Sequence, residues 1–274
     1  MIRRLERRYP RGNHASTLPW PSAWLLALAL GAGIALPAAS IAQPVDTQAA
    51  AGVADEAPAA LAPFVARYTV SDNGRSLGDA TLRLVPQGPR WRVDLTMNGS
   101  GLFRIAGINA EQSTLFEDRG ETYRPLTQAT VRRTVFTQRK SVGTYDWRSR
   151  LARWQGDVKE HRRAPVALID GDMSGLLINL AVIRDAAPGR TLQYRYVDSG
   201  RVREHRYVVA RELEPVTVGE LKYNAMRVSR IEDAQGDETV IWVAKGVPTP
   251  IRMLQREGGK DTYDLRLTEY QGVQ

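Results

Sequence analysis

The side chains able to perform covalent chemistry are few in this chain. It has 274 residues with no cysteine and three histidines, which excludes a thiol nucleophile and a cysteine-ligated metal site. His161 and His205 each stand among arginines, whose charges oppose metal binding, and both are predicted to be neutral surface residues. Ser174 lies in the sequence GDMSG, which differs from the G-x-S-x-G pattern of a hydrolase nucleophile. These residues favour a non-catalytic protein.

Positive charge is the second chemical signal. Segment 119–163 contains twelve Lys or Arg residues against four acids, a net charge of +8. Such a local field attracts anionic groups such as lipid head groups and lipopolysaccharide phosphates. The alternative is that these cations only solvate the outward faces of strands and protect sheet edges from aggregation. The residues assigned to binding an anionic group are Arg132, Arg133, Arg139 and Lys140.

The elements that must position these side chains follow from the hydrophobic pattern. Residues 64–70 and 90–98 alternate between apolar and polar side chains, which is the period of a half-buried strand. Similar runs continue to residue 270, separated by short turns rich in Gly, Pro, Asn and Asp. So many strands without intervening helices predict an all-β, mainly antiparallel fold, arranged as a large curved sheet or an open β-barrel.

One segment breaks this alternation. Apolar residues recur at helical spacing between residues 173 and 183, and Pro188 with Gly189 ends the run. The pattern predicts one central amphipathic helix that lies across the concave face of the sheet or closes its open end. Three polar residues are assigned to the start of this helix, where they can cap its free N–H groups: Asp170, Asp172 and Ser174.

The concave face beneath that helix is a second candidate site. Space left unfilled there would form an apolar pocket suited to an acyl chain. A filled core would use the same side chains, so both interpretations stay open. The residues assigned to this apolar site are Tyr68, Trp91, Leu95, Leu176, Leu177, Leu180 and Trp242.

The beginning of the chain has the composition of a secretory signal. Five arginines precede residue 12, residues 24–36 read WLLALALGAGIAL, and small residues follow up to Ala42. We predict a signal peptide over 1–42 with cleavage after Ala42, which places the protein in the periplasm without a transmembrane span. The alternative is an uncleaved membrane anchor. An Ala/Pro-rich stretch predicts a flexible leader over 43–63, followed by a single β domain over 64–274.

Three segments resemble a known family. Residues 64–84 read FVARYTVSDNGRSLGDATLRL, residues 171–180 read GDMSGLLINL, and residues 242–270 form a closing hairpin pattern that contains PTPIR. Together they resemble bacterial domain of unknown function 3108, with the similarity spanning residues 62–272. The resemblance implies an exported envelope protein without an assigned activity. By analogy of fold it also implies a curved sheet wrapped on a helix, similar to the periplasmic lipoprotein carriers.

These observations predict a periplasmic binding or carrier protein that takes an amphipathic, lipid-like envelope ligand. The acyl portion is expected under the helix and the head group on the basic strands, with anionic lipid or lipopolysaccharide as the partner. The first alternative is a cell-envelope scaffold that binds other proteins through a sheet edge, and the second is an unrecognised hydrolase. We expect no cofactor, no metal and no nucleic-acid partner.

Overall fold

The computed structural model describes residues 60–101, 109–231 and 236–272. The predicted signal peptide and most of the predicted leader lie outside these described residues. Residues 60–63 precede the first strand, and Leu61 packs against the main hydrophobic core.

The described chain forms fifteen strands, one α-helix and a single 3-10 turn at Glu160–Arg162. The helix is α1 (Gly175–Asp185). In chain order, the strands are β1 (Phe64–Asp72), β2 (Arg75–Gln87), β3 (Arg90–Gly99), β4 (Asn109–Asp118), β5 (Tyr123–Arg133), β6 (Gln138–Asp146), β7 (Leu151–Gly156), β8 (Val166–Ala167), β9 (Asp172–Met173), β10 (Thr191–Asp198), β11 (Arg201–Val218), β12 (Leu221–Arg230), β13 (Glu238–Ala244), β14 (Arg252–Glu257) and β15 (Lys260–Gly272).

All fifteen strands belong to one sheet that consists of two meanders. The order is β8-β7-β6-β5-β4-β3-β2-β1-β15-β14-β13-β12-β11-β10-β9. Strands β1 and β15 join the meanders in the middle of the sheet, with Phe64 opposite Gly272. Neighbouring strands are antiparallel except β9 and β10. The predicted all-β, mainly antiparallel class is therefore confirmed.

The sheet curls around α1 without closing into a barrel. The helix contacts β3, β4 and β5 from one meander and β10 from the other, and β5 also lies against β9. The edge strands β8 and β9 do not pair with each other, so a seam remains between the meanders. Of the predicted alternatives, the structure has the large, curved and open sheet.

The helix is more deeply buried than an amphipathic stripe requires. Seven consecutive residues, 176–182, are buried, including Asn179. A helix with only one apolar face would expose part of each turn. Because the sheet curls around α1, both meanders cover it, and its side chains complete the main hydrophobic core.

Candidate functional site

A cavity of about 220 Å³ opens at the seam, where β5 and β6 face the turn between β10 and β11. Two acidic residues, Asp157 and Asp198, also border it. We call this cavity the basic pocket, after the cations that line it. They are Arg132, Arg139, Lys140, Lys159, Arg162 and Arg201.

Strand register brings the first two cations together. Arg132 on β5 lies directly opposite Arg139 on β6, so both project from the same face of the sheet. Gln128 and Thr130 are buried at alternate positions of β5, which makes this the inner face. Arg133 is the next residue along the strand, is exposed, and donates to Glu111 at 2.5 Å.

The other wall of the basic pocket is a tight two-residue turn. Ser199 and Gly200 both have positive φ angles, 48° and 71°, as the reversal from β10 to β11 requires. A Cβ atom on Gly200 would lie 2.0 Å from the carbonyl oxygen of Arg162. Glycine is therefore needed here both for the backbone conformation and for the close approach of the 3-10 turn that carries Arg162.

The two carboxylates beside the basic pocket are occupied by uncharged donors. Asp157 accepts the backbone N–H of Lys140 at 2.7 Å. Asp198 accepts the hydroxyls of Tyr196 at 3.0 Å and Ser199 at 3.1 Å. It also accepts the side-chain amide of Gln128. Neither carboxylate forms an ion pair with a pocket cation in the described part of the chain.

None of the six cations therefore has an ion-pair partner within 4 Å among the described residues, although Asp157 and Asp198 lie beside them. The ion pairs in the described part of the chain involve other arginines, such as Arg133, Arg195 and Arg256. In addition, the Nε–H of Arg162 is buried and has no hydrogen-bond partner among the residues that the structure describes. A buried polar group without a partner costs about 1–3 kcal/mol, so an anionic acceptor would stabilise this arrangement.

Burial and like charge shift the ionisation of the groups in the basic pocket. Burial lowers the pKa of the Arg132 guanidinium, Asp198 partly offsets this, and Arg139 lowers the pKa further. Burial also raises the pKa of Asp198, although its bonds from Tyr196, Ser199 and Gln128 lower it. A bound anion would favour the charged form of Arg132.

A side-chain network beneath the basic pocket joins the two meanders. The Tyr145 hydroxyl on β6 lies 2.8 Å from the Gln128 side-chain oxygen and 2.6 Å from the carbonyl oxygen of Val197 on β10. Gln128 in turn donates to Asp198. Tyr145 also packs edge-to-face against Trp154, with ring centroids 5.6 Å apart. These contacts hold the seam together where no strand pairing does.

His205 lies beside this network, and its predicted surface position is wrong. It is buried on β11 and stacks on Tyr196, with ring centroids 5.0 Å apart. Burial, helped by the charges of Arg230 and Arg203, lowers the pKa of His205 to about 3. The predicted neutral state is thus retained for a different reason. His161 is exposed, as predicted.

The structure divides the residues assigned to anion binding. Arg132, Arg139 and Lys140 line the basic pocket. Arg133 does not, because it projects from the other face of β5 and pairs with Glu111. Lys140 lines the pocket although it directly follows Arg139, and its backbone N–H donates to Asp157 beside the cavity.

The residues assigned to the apolar site are packed side chains. Trp91 is half-buried and packs against the main core, and the other six belong to it: Tyr68, Leu95, Leu176, Leu177, Leu180 and Trp242. The Tyr68 hydroxyl donates to the carbonyl oxygen of Pro250 at 2.9 Å. Neither this set nor any part of it lines the basic pocket.

The residues assigned to the helix start lie there but do not cap it through side chains. Ser174 is the N-cap residue, yet its hydroxyl is 2.9 Å from that of Thr114 on β4. Asp172 is buried and accepts Arg195 at 2.5 and 2.6 Å, while Asp170 is exposed. A curled sheet supplies partners for these groups, so they tie α1 to its surroundings.

A second cavity, of about 710 Å³, is bordered by Arg256 and by its two carboxylate partners, Glu238 and Asp261. Asp237 and Lys260 also border it, without an ion pair among the described residues. Arg256 donates to Glu238 at 2.8 Å and to Asp261 at 2.7 Å, and Arg227 also donates to Glu238. We call these four residues the paired cluster. Their hydrogen bonds raise the pKa of Arg256.

Comparison with known proteins places this architecture in a family. The sequence profile described as "Protein of unknown function (DUF3108)" matches residues 67–266. The chain belongs to the DUF3108 family. The DUF3108 match contains every residue of the basic pocket and of the paired cluster. A search of curated proteins found no match.

The described residues include no helix that is both long and apolar enough to cross a membrane. They also include no group of three or more His, Asp or Glu side chains arranged to hold a metal ion.

Sequence reasoning missed half of the pocket cations. Lys159 and Arg162 lie within the basic segment but were not singled out, and Arg201 lies outside it. Their grouping depends on the approach of β10 and β11 to β5 and β6 across the seam. No local sequence signal reports that approach.

Proposed function

We propose that this protein is a non-catalytic binding protein for an amphipathic, lipid-like ligand of the cell envelope, whose anionic head group binds in the basic pocket. One observation carries the proposal. Six cations surround a single cavity without an ion-pair partner among the described residues, while the adjacent carboxylates are occupied by neutral donors.

The chemistry of the basic pocket suits a phosphate-bearing group. Arginine guanidinium groups bind phosphate oxygens with paired, charge-assisted hydrogen bonds. Arg132 and Arg139 face each other across neighbouring strands, so one anion between them would relieve their mutual repulsion. The Nε–H of Arg162 offers a further donor.

The size of the basic pocket limits what enters it. Sites for drug-sized ligands commonly measure about 300–1,000 Å³, whereas this cavity measures about 220 Å³. It therefore matches a head group better than a complete lipid. The side chains assigned to an acyl pocket belong to the main core or, for Trp91, pack against it. The proposal accordingly assigns the head group to the basic pocket and leaves the acyl chain outside the space beneath α1.

The two alternative functions, a scaffold that binds proteins through a sheet edge and a hydrolase, have weaker support. For the scaffold, the edge strands β8 and β9 contain two residues each, so they offer few backbone groups for a partner strand. For hydrolysis, Ser174 is the nucleophile that the sequence suggests, but it is buried and bonded to Thr114.

The proposal includes export to the periplasm with removal of residues 1–42. Support comes from the basic start, the apolar run and the small residues before Gln43. Mass spectrometry of protein recovered from the periplasmic fraction should find Gln43 as the first residue. An intact N-terminus in the membrane fraction would contradict cleavage.

Binding is best tested with a soluble short-chain lipid. Isothermal titration should detect dihexanoyl phosphatidic acid binding to the wild-type protein, and much weaker binding of dihexanoyl phosphatidylcholine. Loss of charge-assisted bonds in the double variant Arg132→Gln/Arg139→Gln should weaken phosphatidic acid binding by about tenfold or more.

Arg256→Gln is the matched control, because it removes an arginine from the other cavity. Its affinity for phosphatidic acid should equal that of the wild type. Equal affinity of the wild type and the double variant would overturn the proposal, provided that both have the same circular dichroism spectrum.

A further inference from the structure

The tip of the β5–β6 hairpin exposes two apolar side chains. Phe136 is 92% exposed and Val135 is 58% exposed. Among the described residues, Phe136 is the most exposed large hydrophobic side chain. Because a phenylalanine side chain gains substantially from leaving water, such a position favours contact with another apolar phase.

The backbone of this tip is closed by two threonines. The N–H of Thr134 donates to the carbonyl oxygen of Thr137 at 2.8 Å. The N–H of Thr137 donates to the Thr134 hydroxyl at 3.1 Å, and the two hydroxyls lie 3.0 Å apart. Internal bonds of this kind lower the cost of moving a loop out of water.

Cations surround the apolar tip on both strands. Arg132 and Arg133 precede it, and Arg139 and Lys140 follow it. No Asp or Glu occurs between Glu121 and Asp146. Apolar side chains at the end of a basic element are typical of segments that lie in the interface of an anionic bilayer.

We infer that the β5–β6 tip binds the surface of an anionic bilayer, with Val135 and Phe136 inserted among the lipid head groups. The neighbouring cations then lie at the level of the lipid phosphates. The same hairpin supplies Arg132, Arg139 and Lys140 to the basic pocket, so insertion would hold that pocket at the membrane surface. The inference does not require a head group to enter the pocket.

The absence of cysteine allows a unique local probe. Val135→Cys is labelled with an environment-sensitive fluorophore, and Leu221→Cys serves as the control, because Leu221 is 62% exposed at the start of β12. Each labelled protein is mixed with vesicles of phosphatidylcholine containing phosphatidylglycerol, or of phosphatidylcholine alone. The label at position 135 should shift its emission to shorter wavelength only with anionic vesicles, and the label at position 221 should not respond.

Phe136→Ser in the labelled Val135→Cys protein tests the main contact. It should weaken the vesicle response by about tenfold while leaving the binding of dihexanoyl phosphatidic acid unchanged. Arg132→Gln/Arg139→Gln should instead reduce binding of the soluble lipid. The two assays thus separate a failure of this inference from a failure of the proposed function.

Two results would overturn the inference. One is an unshifted label at position 135 on anionic vesicles, and the other is an equal response with and without Phe136. If that label responds to protein from an envelope extract but not to vesicles, the tip binds a protein partner instead. Matching thermal unfolding curves for the variants ensure that a lost response reflects the tip and not the fold.

Discussion

Arg256 and Arg132 occupy the same sheet in contrasting surroundings. Arg256 donates to two carboxylates in the paired cluster, and its hydrogen bonds raise its pKa. Arg132 faces Arg139 in the basic pocket, and burial together with that charge lowers its pKa. Acidic residues border both cavities, so the difference lies in which donors those acids accept. Neutral donors at Asp157 and Asp198 leave the pocket cations available to an external anion.

The largest expected effect is a loss of unfolding free energy at low pH that arises beside the basic pocket. His205 beside the pocket network has a pKa of about 3, against about 6.5 in an unfolded chain. Between these two pKa values the unfolded state binds more protons than the folded state. The contribution of His205 to the unfolding free energy is therefore complete above pH 6.5 and decreases as the pH falls toward 3. Relative to His205→Phe, the wild type should lose about 2.5 kcal/mol of unfolding free energy between pH 7.5 and 4.5.

Urea unfolding at the two pH values measures this loss. His161→Phe is the control, because His161 is exposed and its removal should leave the pH dependence unchanged. Parallel pH profiles for the wild type and His205→Phe would contradict a buried neutral histidine.

Two glycines give the next largest contrast. Gly200 beside the basic pocket and Gly259 beside the paired cluster each hold the second position of a two-residue turn with positive φ. Alanine at either site should cost about 1–2 kcal/mol for its backbone conformation. Gly200→Ala should cost about 2 kcal/mol more, because its Cβ would meet the Arg162 carbonyl, whereas nothing lies within 4 Å at Gly259.

Thermal or urea unfolding compares these two variants directly. Binding of dihexanoyl phosphatidic acid should weaken only in Gly200→Ala, because that turn forms the pocket wall. Equal destabilisation of both variants would mean that the 3-10 turn with Arg162 moves away from the new Cβ without a loss of unfolding free energy.

The smallest expected effects have opposite signs. Arg256→Gln should lower the unfolding free energy by about 0.5–1 kcal/mol, because its ion pairs are partly exposed. Arg132→Gln should leave stability unchanged or raise it by up to about 0.5 kcal/mol in low salt, because the burial of this cation and its repulsion by Arg139 together outweigh its attraction to Asp198. Added sodium chloride should shrink that gain. A loss in Arg132→Gln equal to that in Arg256→Gln would show that the pocket arginine has a structural partner.

The sequence allows the strands and the helix to be predicted because their signals are local. Alternation over 64–70 and 90–98 corresponds to β1 and β3, and the helical spacing of 173–183 corresponds to α1. The pairing of strands has no such local signal. Alternation identifies the sheet face of a residue but not the strand opposite it, so the junction of β1 with β15 could not be predicted.

The candidate site was predictable only where it is local. Arg132 and Arg139 belong to one hairpin, and strict alternation would have removed Arg133 from the set. The same rule would also have removed Lys140, which does line the pocket. The contact of Gln128 with Asp198 depends on how far the sheet curls, and curvature leaves no periodic trace in the sequence. Lys159, Arg162 and Arg201 join the site for the same reason.

The junction of β1 and β15 also sets the order in which the protein can fold. Each meander is built from sequence neighbours, so its hairpins can form quickly. The junction requires contacts such as Arg67 with Glu269, which are 202 residues apart, and contacts of such separation form slowly. The first strand therefore waits for the last one before the sheet is complete. During synthesis the chain therefore stays without its central strand pairing until β15 has been made.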